Sequence, residues 1–183
     1  MHFNSNLMLM HKINLTFGSK LMHDTGIILN NQMNDFSIPG VPDAFGLKPS
    51  PNNFIAGGKR PLSSSTPMIA VKDGKVVWIG GASGGSKIPH ATLETFIYNI
   101  DWKFSITAAS RHPRFHHQLF PNKVSVEAGF HDSFVKGLEN RNHNVEFLNP
   151  ADYGSAFQGI SRDSSGLLEA TSDHRKQGQP DGY

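Results

Sequence analysis

The sequence predicts a mixed α/β (α+β) fold with an antiparallel component, and three observations carry that reading. Residues 68–71 and 76–79 are apolar runs flanking Lys72-Asp73-Gly74-Lys75. An Asp-Gly between two such runs marks a β-hairpin, because the tight turn needs positive φ at both central residues. Leu93, Phe96, Ile97 and Ile100 then recur at i, i+3, i+4 and i+7, the spacing of one helix face. Residues 157–161 and 167–171 bracket Asp163-Ser164-Ser165-Gly166 as a second, closing pair of strands. Hairpins interleaved with helices place the chain among mixed α/β folds.

The remaining elements follow in order. Residues 13–17 and 26–29 read as short strands separated by a Gly-Ser-Lys turn. Residues 30–67 contain Pro39, Pro42, Pro49, Pro51, Pro61 and Pro67 among many Asn, Ser and Gly, which predicts a long loop. Phe36, Phe45, Phe54 and Ile55 give that loop apolar groups with which to pack. Residues 105–110 predict a short helix that stops before Pro113, since the residue ahead of a proline is pushed out of helical geometry. Residues 124–127 and 145–148 read as strands, 131–141 as a helix, and 172–183 as a polar tail. There is no internal repeat.

Composition narrows the classes of function. At 183 residues the chain is one domain, or part of one, with enough length to bury a core. A net charge of +2 without a basic run argues against nucleic acid as a partner. With no cysteine, thiolate nucleophiles and zinc–thiolate sites are excluded, and nothing in the sequence calls for a cofactor or a metal. No stretch reaches the roughly 18 apolar residues of a membrane helix. The apolar core at the start, residues 7–10, is shorter than the about 7–15 residues of a secretory signal.

Three polar segments carry the chemistry: residues 30–37, 59–67 and 80–86. The third is rich in glycine and lies between a predicted strand and a predicted helix. Successive N–H groups in such a turn can converge on an anion or a developing oxyanion. It also satisfies G-x-S-x-G as Gly81-Ala82-Ser83-Gly84-Gly85. That pattern in that context admits Ser83 as a nucleophile, served by Asp132 with His143 or by Asp173 with His174. The parallel βαβ repeats of that hydrolase fold are not evident, however. Asn14, Gln32 and Asp35 are acceptors suited to an ammonium, and equally suited to Asx turns. Ser63 and Ser64 can donate to a carboxylate. The histidines of Arg111-His112-Pro113-Arg114-Phe115-His116-His117 read as structural or surface groups, since adjacent His116 and His117 point in different directions.

Set in order, these segments resemble the small, C-terminal subunit of γ-glutamyltransferase (glutathione hydrolase). The resemblance runs from Ile13-Asn14-Leu15 and Phe17-Gly18-Ser19 through Pro113-Arg114, His116, Gln118-Leu119 and Pro121-Asn122. It continues to Ser172-Asp173, Arg175-Lys176, Gly178, Pro180 and Gly182-Tyr183. It implies an N-terminal nucleophile hydrolase, an αββα sandwich of which this chain is a part. In that family a freed N-terminal Thr attacks the γ-glutamyl carbonyl, and the acyl group passes to water or an amino-acid acceptor. The resemblance implies that Asn14, Gln32 and Asp35 hold the substrate α-ammonium. It also implies that Ser63 and Ser64 hold the α-carboxylate, and that Gly84 and Gly85 supply oxyanion N–H groups, with Ser83 as scaffolding.

Residues 1–12 do not resemble the segment that bears the Thr, and Lys12 stands where a supporting Thr precedes Ile-Asn-Leu. The expectation is a non-matching leader, 1–12, and a small-subunit-like domain, 13–183, that lacks its nucleophile and is inactive alone. The expected partners are γ-glutamyl compounds such as glutathione, and the large subunit or a second copy of this chain. Family members are extracellular, anchored through the large subunit, or periplasmic, and this sequence does not choose a compartment. The competing expectation is a non-catalytic light chain that keeps the pocket or only the fold.

Overall fold

The computed structural model describes residues 8–149 and 152–181. They divide into two compact units, a smaller one, Leu9–Ser63, and a larger one that comprises Met8 and the residues from Ser64 onward.

The larger unit holds the regular structure: β1 (Met68–Lys72), β2 (Lys75–Ser83), α1 (Ile88–Ile100), α2 (Ile106–Arg111), β3 (Phe115–His116), β4 (Val124–Val126), α3 (Asp132–Glu139), β5 (Val145–Phe147), β6 (Ala156–Arg162) and β7 (Leu168–Ser172). One sheet runs β1-β2-β6-β7, antiparallel throughout. A second runs β3-β4-β5, with β4 and β5 parallel. The first hairpin turns where the Asp-Gly predicts, with φ of 50° at Asp73 and 72° at Gly74.

Alternation along the strands separates two faces of the four-stranded sheet. On one, Trp78, Phe157 and Ile106 of α2 are fully buried, with Met68, Ala70, Phe96 and Ile100 packed around them. Trp78 meets Phe96 edge-on at 5.2 Å and Phe157 at 5.5 Å. The two rings lie over Gly80 and Gly159, which are cross-strand partners on β2 and β6. A Cβ at Gly80 would fall 2.4 Å from the Trp78 ring, and one at Gly159 2.4 Å from that of Phe157. The paired glycines therefore form a trough that admits both aromatics. On the opposite face, Ile69, Ile79 and Ile160 stand in one row across three strands, with Ile69 and Ile160 exposed.

Helix α2 is capped from two directions. The Ser105 hydroxyl accepts from Ala108 N–H, and the Glu169 carboxylate of β7 accepts from Ile106 and Thr107 N–H. Both satisfy first-turn donors that have no partner inside the helix.

Three expectations need correction. Residues 13–17 and 26–29 are not strands. Asn14, Phe17 and Lys20 take positive φ, which breaks an extended run, and one isolated bridge, Met22 to Ile28, is formed instead. The buried side of α1 is wider than the predicted stripe, of which Phe96 and Ile100 pack against the core. Ala91, Thr92, Glu94, Thr95 and Tyr98 are buried, whereas Leu93 is 54% exposed. Thr95 satisfies its hydroxyl on Ala91 C=O at 2.8 Å, so a buried polar residue escapes a count of apolar spacing. The two-residue strand β3 lies beyond Pro113, where no strand is predicted.

Gly159→Ala tests the trough. It is expected to cost about 1–3 kcal/mol through overpacking against Phe157 and the Ile79 carbonyl. Gly57→Ala, with nothing near the added methyl, is expected to stay within about 0.5 kcal/mol. Denaturant unfolding followed by tryptophan fluorescence measures both.

Candidate functional site

The acceptor cluster belongs to the smaller unit. Residues Gln32–Asp35 form one turn of 3-10 helix, which brings the two side chains to the same side. Gln32 Nε2 donates to Asp35 Oδ2 at 2.6 Å, and Lys12 Nζ forms an ion pair with that same oxygen. Asn14 sits at φ 76° and donates from Nδ2 to Asn31 C=O at 3.1 Å. Asn31 returns the contact, accepting from Leu15 N–H on Oδ1 and donating its own N–H to Ile13 C=O. This clip lays residues 13–15 alongside Asn31 and so brings Asn14 to the segment that carries Gln32 and Asp35.

A second asparagine fixes the other side. Asn53 Nδ2 donates to Asp35 C=O at 2.8 Å and to Ser37 Oγ at 3.3 Å, while its Oδ1 accepts from Leu62 N–H at 2.8 Å. The backbone of Asp35 is thereby tied to the residue next to Ser63. Asn31 and Asn53 are positioning residues that sequence reasoning missed. The local signal for them was only an Asn-rich loop, and their partners lie 16 and 18 residues away.

The larger unit holds Ser64, Gly84 and Gly85. Ser64 C=O accepts from the Thr66 hydroxyl. Gly84 and Gly85 join β2 to the 3-10 turn that opens α1, with φ of 127° and 62°, a region that side chains rarely adopt. Gly84 also passes close to residues 154 and 155. A Cβ there would lie 2.6 Å from Ser155 Cα and 2.8 Å from Gly154 C=O. Ser83 Oγ accepts from Lys176 Nζ at 2.8 Å.

Behind that turn lies a buried cluster with two positive and two negative charges. Arg114 Nη2 donates to Asp173 Oδ2 at 2.6 Å, and Arg175 Nη1 to Asp173 Oδ1 at 3.1 Å. Arg175 also grips Glu127 through Nε, at 2.9 Å, and through Nη2. Asp173 accepts from Phe157 N–H at 2.8 Å, and Arg114 Nη1 reaches the carbonyl and hydroxyl of Ser155 at 3.4 Å. Burial works to raise the Asp173 pKa, but the Arg114 charge and the N–H groups of Phe157 and Arg175 hold it below the usual range. Asp173 is thus fully engaged in structure, which leaves it poorly placed as the acid for Ser83.

Neighbouring Glu94 behaves in the opposite way. Burial pushes its carboxyl up from 4.5 to about 8 and outweighs the Arg114 charge. The histidines stay within the same unit: His116 Nδ1 faces His90 Nδ1 at 3.2 Å and its Nε2 meets Gln118 Oε1 at 2.7 Å. One ring of the pair must be neutral to accept that bond, and burial lowers both pKa values. Among the described residues no group of three or more His, Asp or Glu is set to hold a metal.

The family model described as Gamma-glutamyltranspeptidase matches residues 8–183. The chain belongs to this family. Glutathione hydrolase proenzyme 1 of Schizosaccharomyces pombe is 47% identical over 167 residues, covering 90% of this chain and 26% of its own length. A γ-glutamyltranspeptidase mutant of Helicobacter pylori superposes with a TM-score of 0.82 at 32% identity, covering 91% of each chain. The fold is thus the mixed helix-and-sheet fold of the N-terminal nucleophile hydrolases. This γ-glutamyltranspeptidase-family chain spans about a quarter of the length of the first curated relatives it matches. Scoloptoxin SSD20 of Scolopendra dehaani, 39% identical, differs in this respect, with 93% of this chain aligned to 87% of that one.

Two expectations follow. Gly84→Ala is expected to destabilise the larger unit by at least 1–3 kcal/mol, since both φ and the Ser155 contact oppose a methyl. Calorimetric melting checks this. For Glu94, a folded-state pKa above the unfolded one means that its contribution is complete below about pH 4.5 and is lost as pH rises through about 8. Glu94→Gln is therefore expected to flatten the decline in Tm between pH 5 and 8, as read from melts across that range.

Proposed function

We propose that this chain supplies the small-subunit share of a γ-glutamyl transfer site: the groups that hold the glutamyl moiety and those that stabilise the oxyanion. The observation that carries this reading is the pair Gln32 and Asp35, joined at 2.6 Å within one turn and flanked by the clipped Asn14. Such a cluster offers charge-assisted acceptors to an α-ammonium. Ser63 and Ser64 donate to the α-carboxylate, and the N–H groups of Gly84 and Gly85 receive the charge that develops on the γ-carbonyl oxygen. In this reading the attacking group is the N-terminal Thr of the family. Attack by its hydroxyl on the γ-carbonyl gives an acyl-enzyme and releases the amine. Water or an amino-acid acceptor then takes the glutamyl group. Glutathione is the proposed donor, by likeness to the fission-yeast glutathione hydrolase.

The proposed macromolecular partner is the large subunit. The row of Ile69, Ile79 and Ile160 supports this, since it is apolar, with Ile69 and Ile160 exposed, and lies on the sheet face opposite the one that packs against α1 and α2. Domain limits of 1–12 and 13–183 remain part of the proposal, as does inactivity of the chain by itself. Ser83 carries less support as a nucleophile, because its hydroxyl is held by Lys176 and not by a histidine.

A second reading, a light chain acting without catalysis, is favoured by one observation: Asp35 Oδ2 is already held by both Lys12 and Gln32. A graft separates the two. The 183-residue chain alone is expected to leave a chromogenic γ-glutamyl anilide uncleaved. Residues 13–183 placed behind the large subunit and Thr-bearing segment of the fission-yeast relative are expected to cleave it. Turnover by the chain alone contradicts the proposed inactivity, and a folded but inert graft contradicts the catalytic reading in favour of the second.

A further inference from the structure

We infer that Lys12 is a specificity-determining residue, a tethered ammonium that fills the α-ammonium subsite and turns the pocket against ligands carrying that charge. The inference rests on the reading of Asp35 as the ammonium acceptor. Its evidence is the ion pair from Lys12 Nζ to Asp35 Oδ2, the same oxygen that accepts from Gln32 Nε2. A carboxylate oxygen has two lone pairs, and here two donors take them. An incoming α-ammonium therefore meets an acceptor oxygen already occupied and a like charge beside it.

Lys12 does not reach this point as a loose surface chain. Its neighbour Ile13 accepts from Asn31 N–H at 3.2 Å, and Asn14 and Leu15 are clipped to the same asparagine. The strap is thus laid one residue ahead of Gln32, and it aims Lys12 at Asp35. The Lys12 side chain is only 33% exposed and that of Asp35 only 19%, so water screens the pair less than it would a surface contact. A tethered partner also acts at an effective concentration on the order of mM. An amino-acid ligand must outcompete it, whereas a dicarboxylate without the ammonium need not displace it.

The experiment compares L-glutamate and glutarate, titrated by NMR or calorimetry into the full chain, into Lys12→Ala, and into Asp35→Asn on the Lys12→Ala background. Lys12→Ala is expected to tighten L-glutamate at least tenfold while changing glutarate by less than about twofold, and adding Asp35→Asn is expected to undo the gain. Asp35-dependent glutamate binding of equal strength with and without Lys12 overturns the inference and leaves the site reading intact. An equal gain for glutarate also overturns it, because Lys12 then acts by bulk and not by charge. Absence of glutamate binding in both the full chain and Lys12→Ala, or binding indifferent to Asp35→Asn, overturns the site reading and the inference with it.

Discussion

Two arginines and two carboxylates, Arg114, Arg175, Asp173 and Glu127, are buried together, and much of the larger unit takes its bearings from them. Four charges out of water are costly unless each is matched, and here the signs balance two against two. The remaining hydrogen-bonding capacity is spread over distant pieces of backbone. Arg114 and Arg175 both donate to Ser110 C=O, and Arg175 to His112 C=O, which satisfies carbonyls at the end of α2. Glu127 accepts from Arg114 N–H just beyond β4, and Asp173 from Phe157 N–H at the start of β6. Removing one member of such a cluster costs about 3–5 kcal/mol, since its partner is left buried and unpaired.

The cluster bears on the site through Ser155. Arg114 holds the carbonyl and hydroxyl of Ser155, and the Cα of Ser155 is what Gly84 passes so closely that only a hydrogen fits. The glycine turn is thus packed against a segment that a charge cluster anchors. This gives a physical reason for an absolute demand at Gly84 that the turn geometry alone does not explain. In the smaller unit neutral amides do the corresponding work. Asn31 and Asn53 bind backbone groups of segments far apart in sequence, and the carboxylate and amide of Asp35 and Gln32 are set by that scaffold.

The parts legible in the sequence were those set by local chemistry. The Asp73-Gly74 turn, the closing hairpin around Asp163–Gly166 and the short helix ahead of Pro113 depend on residues within a few positions of one another, and each forms where its signal lies. The strands expected in 13–29 failed because left-handed residues there are selected by contacts with Asn31 and Leu29, which no local pattern reveals. The inner face of α1 was read in part: Phe96 and Ile100 pack on the core as their spacing predicts, whereas the buried Thr92, Glu94 and Thr95 are polar and escape a count of apolar positions. In the site, Asn14, Gln32 and Asp35 were visible as acceptors, but the 3-10 turn that brings Gln32 and Asp35 together was not. The use of Asp173 as a structural counter-ion spans 59 residues to Arg114 and was not visible, so the same residue also served as a conceivable catalytic acid.

The central claim is that the charge cluster sets the glycine turn through Ser155. Amide hydrogen exchange by NMR in Arg114→Lys tests it directly, because lysine keeps the charge but loses the guanidinium fork that spans Ser110, Ser155 and Asp173. The account predicts faster exchange at Gly84, Gly85 and Ser155 together with Phe157, while the β1–β2 hairpin keeps its protection. Faster exchange at Phe157 with Gly84 and Gly85 unchanged would contradict it.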